Sequence, residues 1–189
     1  MRNASLHLEP GQSAVFGYGS LLSIRSLERT LGRAYDGPFL QVELPGWRRS
    51  WDAAMPNKKF YAELDGRQTY PETILYLNVV EDPDSILNGI LFIVSASELE
   101  SFDERESIYD RLDVTDQLSI PVSGGRAYVY VCRPEHTLRE ASSPAYGAVR
   151  ATYIDIVETG LRELGDSFRA GYERSSDAIP MHLIIQDRS

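Results

Sequence analysis

Val15-Phe16-Gly17-Tyr18-Gly19-Ser20-Leu21-Leu22 joins a short apolar run to two glycines that flank a tyrosine. Residues 13–16 read as a strand, and residues 21–31 as a short helix stopped by Gly32. Glycines at such a junction let the backbone bend sharply and approach a ligand. If a helix follows at once, the N–H groups of Gly19, Ser20 and Leu21 are left without intrahelical partners. A cluster of that kind can take a carboxylate or an oxyanion. The alternative is a plain strand-to-helix turn capped by Ser20. The spacing is not a dinucleotide fingerprint, because Ser20-Leu21-Leu22 follows where a third glycine would be needed.

Outward from this junction, strands predominate. Residues 39–44 read as a strand ending at Pro45-Gly46, and 47–52 as another. Residues 74–80 and 89–94 are β-branched and apolar, with Glu81-Asp82-Pro83-Asp84 between them as a turn or short helical connection. Residues 126–132 alternate as a strand. Two helices are expected. The first begins at Ser95, which stands in capping-box spacing to Glu98. The second covers 146–164, with an apolar stripe through Val149, Tyr153, Val157 and Leu161. A short last helix falls near 168–174. Strands and helices do not alternate strictly, which favours α+β over a doubly wound parallel sheet. The polar stretch 58–70 reads as a hairpin or a lid.

The helix from Ser95 carries the second candidate feature. At about 100° per residue, Leu99 and Phe102 define its inward face, and Glu106 falls between them. A carboxyl aimed at an apolar interior is costly unless paired or protonated. Burial raises its pKa toward the range a general acid/base needs. Fraying of the helix before Glu106, or pairing with Arg111, are the structural alternatives.

Composition limits the other functions. The 189 residues suit one domain, residues 1–189 with a core at about 13–175, and 42% are hydrophobic. A net charge of −9 disfavours nucleic acid. Arg48-Arg49 and Lys58-Lys59 read as solvated loop charges. No stretch nears the roughly 18 apolar residues of a membrane span, and no signal peptide is seen. The single cysteine, Cys132, excludes an intrachain disulfide and suggests a reducing, cytoplasmic setting. It reads as a small buried residue, and Trp47 and Trp51 as packing. His7, His136 and His182 lack ligand spacing, so no metal site is expected.

At the two features the chain resembles the γ-glutamyl cyclotransferase-like superfamily. Residues 15–21 look like that family's Tyr-Gly-Ser signature. Phe102-Asp103-Glu104-Arg105-Glu106-Ser107-Ile108-Tyr109-Asp110-Arg111 is similar to its Asp-x-x-Glu segment followed by Tyr-x-Arg. Tyr153 to Gly160 looks like its C-terminal tyrosine-bearing helix. Leu21 departs from the Asn of several members, and Ser107 from a common Gly; both touch the pocket. The resemblance implies a small mixed, mostly antiparallel β-barrel with flanking helices. It implies Glu106 as the catalytic group and Tyr18, Gly19, Ser20 and Leu21 around the substrate, with Tyr109 and Tyr153 lining the site. It implies a small-molecule γ-glutamyl substrate cyclised to 5-oxoproline, with no metal and no organic cofactor. A non-catalytic binding protein, or an enzyme for another acyl or amide substrate, are the rival readings.

Overall fold

The computed structural model describes residues 5–64, 67–138 and 141–188. In chain order the strands are β1 (Leu6–His7), β2 (Gln12–Gly17), β3 (Phe39–Pro56), β4 (Ala62–Leu64), β5 (Arg67–Thr69), β6 (Thr73–Ser95), β7 (Tyr109–Asp113), β8 (Val122–Ser123), β9 (Ala127–Cys132), β10 (Gly147–Arg150) and β11 (Ile184–Ile185). The helices are α1 (Ile24–Leu31), α2 (Ala96–Arg105), α3 (Ala151–Leu164) and α4 (Asp166–Arg174). A 3-10 turn, Ser20–Leu22, lies between β2 and α1.

The chain is α+β, with one large mixed sheet and helices beside it. The sheet runs β11-β10-β6-β2-β9-β7, with β3 also on β6. β6 is its spine: β3 pairs along its length antiparallel, β2 pairs antiparallel with its C-terminal half, and β10 pairs parallel with its N-terminal end. β9 lies parallel to β2 and antiparallel to β7. The inward residues of these strands form the main core with Leu99 and Phe102 of α2 and Val157 and Leu161 of α3. Phe102 is fully buried, worth about 1.5–3 kcal/mol over an exposed position. That anchors the end of α2 from which Glu106 projects.

Three boundaries differ from the sequence reading. β3 does not stop at Pro45-Gly46 but continues past it, with a register shift between Pro45 and Trp47 and Gly46 at φ +83°. β6 likewise runs through the expected connection at Glu81–Asp84. The break survives only locally: opposite Gly46, Asp82 accepts from the Ser85 hydroxyl at 2.7 Å, and Pro83 sits where no ladder bond is required. The helix expected from residue 146 begins at Ala151. Gly147–Arg150 is instead the buried strand β10, because a short apolar run reads alike as strand or helix. Of the stretch 58–70, β4 and β5 pair as a hairpin whose tip at 65–66 lies outside the described residues.

Candidate active site

The 3-10 turn after β2 holds the loop residues, and α2 carries the acid toward them. Ser95 closes the expected capping box, accepting from the Glu98 N–H while the Glu98 carboxylate accepts from Ser95 N–H at 2.8 Å. Glu106 is the C-cap of α2. Its N–H still donates to the Phe102 carbonyl at 2.8 Å, so the helix has not frayed before it. Arg111 does not pair with Glu106; it donates to Asp103 at 2.7 Å.

The Glu106 side chain retains 19% of its exposure, and its nearest cation is Arg105, with Nε 3.5 Å from Oε1. Burial raises its pKa above the ordinary 4.5, and the Arg105 charge opposes that rise only in part. Glu106 lines one cleft together with Gly17, Tyr18, Gly19, Ser20, Leu21, Leu77, Tyr109 and Tyr153. The inner cleft is narrow, about 40 Å³. Ser20, Glu106, Tyr109 and Tyr153 also line an outer chamber of about 440 Å³, walled by Met55, Tyr76 and Ile156 and edged by Arg29, Arg105 and Arg150.

The loop backbone is free for a ligand. Leu22 and Ser23 donate back to the Gly19 and Ser20 carbonyls, closing the 3-10 turn. The N–H groups of Gly19, Ser20 and Leu21 have no acceptor among the described residues. Ser20 makes no side-chain cap; its hydroxyl instead accepts from Arg105 Nη2 at 3.0 Å. Arg105 also donates to Thr30 at 2.7 Å, so one side chain ties α2, α1 and the loop together. Gly19 allows a close approach: a Cβ there would stand 2.8 Å from the Tyr153 hydroxyl.

The three tyrosines differ in what their hydroxyls do. Tyr18 donates to the Tyr130 carbonyl at 2.7 Å, and Tyr109 to the Leu77 carbonyl at 2.9 Å. Tyr153 has no acceptor for its O–H among the described residues, which leaves it able to donate into the cleft. Burial raises all three phenol pKa values and keeps them protonated. Tyr153 is held by edge-on contacts with Tyr76, at 5.0 Å between ring centroids, and Trp51, at 6.1 Å.

Thus Tyr18, Gly19, Ser20, Leu21, Glu106, Tyr109 and Tyr153 all line the same cleft. Sequence reasoning missed Arg105 and Tyr130, and it misplaced Arg49. The pair Arg48-Arg49 does not lie in a solvated loop. Arg49 is in β3 and wholly buried, and its Nε donates to the Tyr18 carbonyl at 2.7 Å. Alternation along the strand read at 47–52 turns one of the two arginines inward, but two adjacent charges look like solvated ones when read by residue type alone. Cys132 is a buried thiol, pushed up to about 11 mainly by burial. Among the described residues no three His, Cys, Asp or Glu side chains gather as a metal site.

No protein-family model matches the sequence, and no curated protein does. Solved structures do match in fold. A γ-glutamyl cyclotransferase superposes with a TM-score of 0.58 at 13% identity, covering 89% of this chain and 91% of its own. An uncharacterized human protein gives 0.56 at 16% identity, over 86% of each chain. YkqA from Bacillus subtilis gives 0.54 at 16% identity, over 88% of this chain and 56% of its own. The chain therefore has the γ-glutamyl cyclotransferase-like fold.

Proposed function

We propose that this protein is a cyclotransferase that closes a small γ-glutamyl amine or amino acid to 5-oxoproline. One observation carries the reading. A mostly buried carboxyl with a raised pKa shares a narrow cleft with three backbone amides that have no acceptor among the described residues.

In this reaction the α-amine of the glutamyl group attacks its own γ-carbonyl. A C–N bond forms within the ring and the bond to the leaving nitrogen breaks. Two protons leave the α-ammonium, one before attack and one as the lactam forms, and both end on the leaving amine, which departs as its ammonium. The nucleophile is already tethered, so the site's main task is to hold a near-attack geometry. Glu106 takes a proton as a base and returns it as an acid, and the rise in its pKa on burial strengthens it in the first role. The amides of Gly19, Ser20 and Leu21 hold negative charge on the substrate, and Tyr153 offers one further donor. The leaving group occupies the outer chamber, where Met55, Tyr76 and Ile156 meet three arginines. Each step uses groups of this chain alone. The lone cysteine fits action in a reducing, cytoplasmic compartment.

The test incubates the protein with γ-glutamyl amines, γ-glutamyl amino acids and glutathione, and reads 5-oxoproline by mass spectrometry. Glu106→Gln keeps the shape but cannot carry the proton. Product from the wild type and its loss in the variant is the expected result. Binding without turnover in both proteins would leave a ligand-binding protein, and a different product would indicate another amide or acyl chemistry.

A further inference from the structure

Arg49 heads the fully buried side chains of this protein, yet no Asp or Glu pairs with it among the described residues. Its partners are neutral. Nε donates to the Tyr18 carbonyl at 2.7 Å, and Nη1 donates to Asn88 Oδ1 at 3.2 Å and to the Ser175 hydroxyl at 2.9 Å. Nη2 donates to the Asn88 carbonyl. The Tyr172 ring stacks 4.2 Å from the guanidinium carbon. Burial lowers its pKa to about 10, so it stays charged at neutral pH. A buried cation solvated only by dipoles is costly, and the cost falls when an anion arrives nearby.

The position of this charge gives it a use. The Tyr18 carbonyl and the Gly19 N–H belong to one peptide unit. A cation bound to the oxygen polarises that unit and strengthens the N–H as a donor. The Gly19 N–H is one of the three amides at the cleft with no acceptor among the described residues. Asn88 is in turn fixed by donation to the Phe168 carbonyl at 2.7 Å, so the cradle around Arg49 is braced from α4.

We propose that Arg49 is a positioning residue that fixes the Tyr18–Gly19 peptide and places positive charge behind it, so that the loop selects ligands bearing a carboxylate. The inference rests on the cyclotransferase reading only for the choice of probe. Arg49 does not touch the ligand; it acts through the peptide.

The probes are 5-oxoproline and 2-pyrrolidinone, the same ring without the carboxylate. Binding of each is measured by nuclear magnetic resonance to wild type, Arg49→Met and Arg49→Lys, with melting curves as a check on folding. In wild type, 5-oxoproline should bind more tightly and move the Gly19 amide and Arg49 Nε–H signals, while 2-pyrrolidinone leaves both in place. Arg49→Met should cut the preference for the carboxylate by about ten- to a hundredfold. Arg49→Lys keeps the charge without the planar fork and should restore part of the preference. An unchanged preference in Arg49→Met, or a wild-type Gly19 signal indifferent to 5-oxoproline, would overturn the proposal. If both variants fail to fold, the wild-type Gly19 and Arg49 signals decide alone. Binding needs no turnover, so the two readings separate. Turnover with an unaltered preference in Arg49→Met rejects the role of Arg49 and keeps the cyclotransferase. A lost preference without turnover does the reverse.

Discussion

Replacing Gly19 by alanine puts a methyl group 2.8 Å from the Tyr153 hydroxyl, where 3.4–4 Å is ordinary contact. Its other neighbours, both atoms of Leu77, stand at 3.6 Å and need not move. Tyr153 cannot easily swing aside, because it is buried and wedged edge-on against Tyr76 and Trp51. Overpacking of this kind costs about 1–3 kcal/mol. Removing the hydroxyl removes the collision. Tyr153→Phe alone should cost about 1 kcal/mol: its O–H has no acceptor to lose among the described residues, and only the Leu77 N–H loses the hydroxyl oxygen. In the Tyr153→Phe background, Gly19→Ala should therefore be milder by about 1–2 kcal/mol than in wild type. The four proteins are compared by urea unfolding, followed through the buried Trp47 and Trp51. Strictly additive costs would refute the close approach of loop and hydroxyl. Turnover by Gly19→Ala should also fall, by about a hundredfold, as the displaced amides lose their geometry.

Three further outcomes follow from the site. The pKa of Glu106 is raised on folding, so its contribution to stability is fully present below the unfolded value and is lost as pH rises through the folded one. Glu106→Gln should therefore become more stable relative to wild type as pH climbs above 4.5, measured by urea melts across pH; a constant difference would contradict burial of the acid. Arg105→Met removes the cation 3.5 Å from Glu106 and the tie to Ser20. It should move the acidic limb of the kcat/KM profile to higher pH, because the base Glu106 loses the charge that lowers its pKa, and should lower the plateau; a profile that does not move would exclude the coupling. Ser95→Ala opens the capping box and should cost about 1 kcal/mol in a denaturant melt, with the pH profile unchanged.

The candidate site was more legible than the sheet around it, because its signals are local. The capping box from Ser95 fixes the phase of α2, and a helix in fixed phase places Glu106 beside Leu99 and Phe102. The glycine pair at 17 and 19 marked the bend for the same reason. The sheet depends on pairing between distant segments. Pro45-Gly46 and Pro83 look like strand ends when taken singly, yet they face each other across one irregularity that two long strands absorb. The strand β10 was hidden because Val149 also fits the helical stripe of α3, and only its pairing to β6 and β11 distinguishes them. Arg49 was illegible for a related reason. Its neighbours Asn88, Ser175 and Tyr18 are far away in sequence, so nothing near it announces a buried cation.

A crystal structure of Glu106→Gln soaked with a γ-glutamyl amino acid tests the proton-transfer geometry most directly. The account places the ligand's α-nitrogen about 3 Å from the residue-106 side chain, with negative charge on the Gly19, Ser20 and Leu21 amides. A ligand bound elsewhere, or one whose α-nitrogen turns away from residue 106, would contradict it.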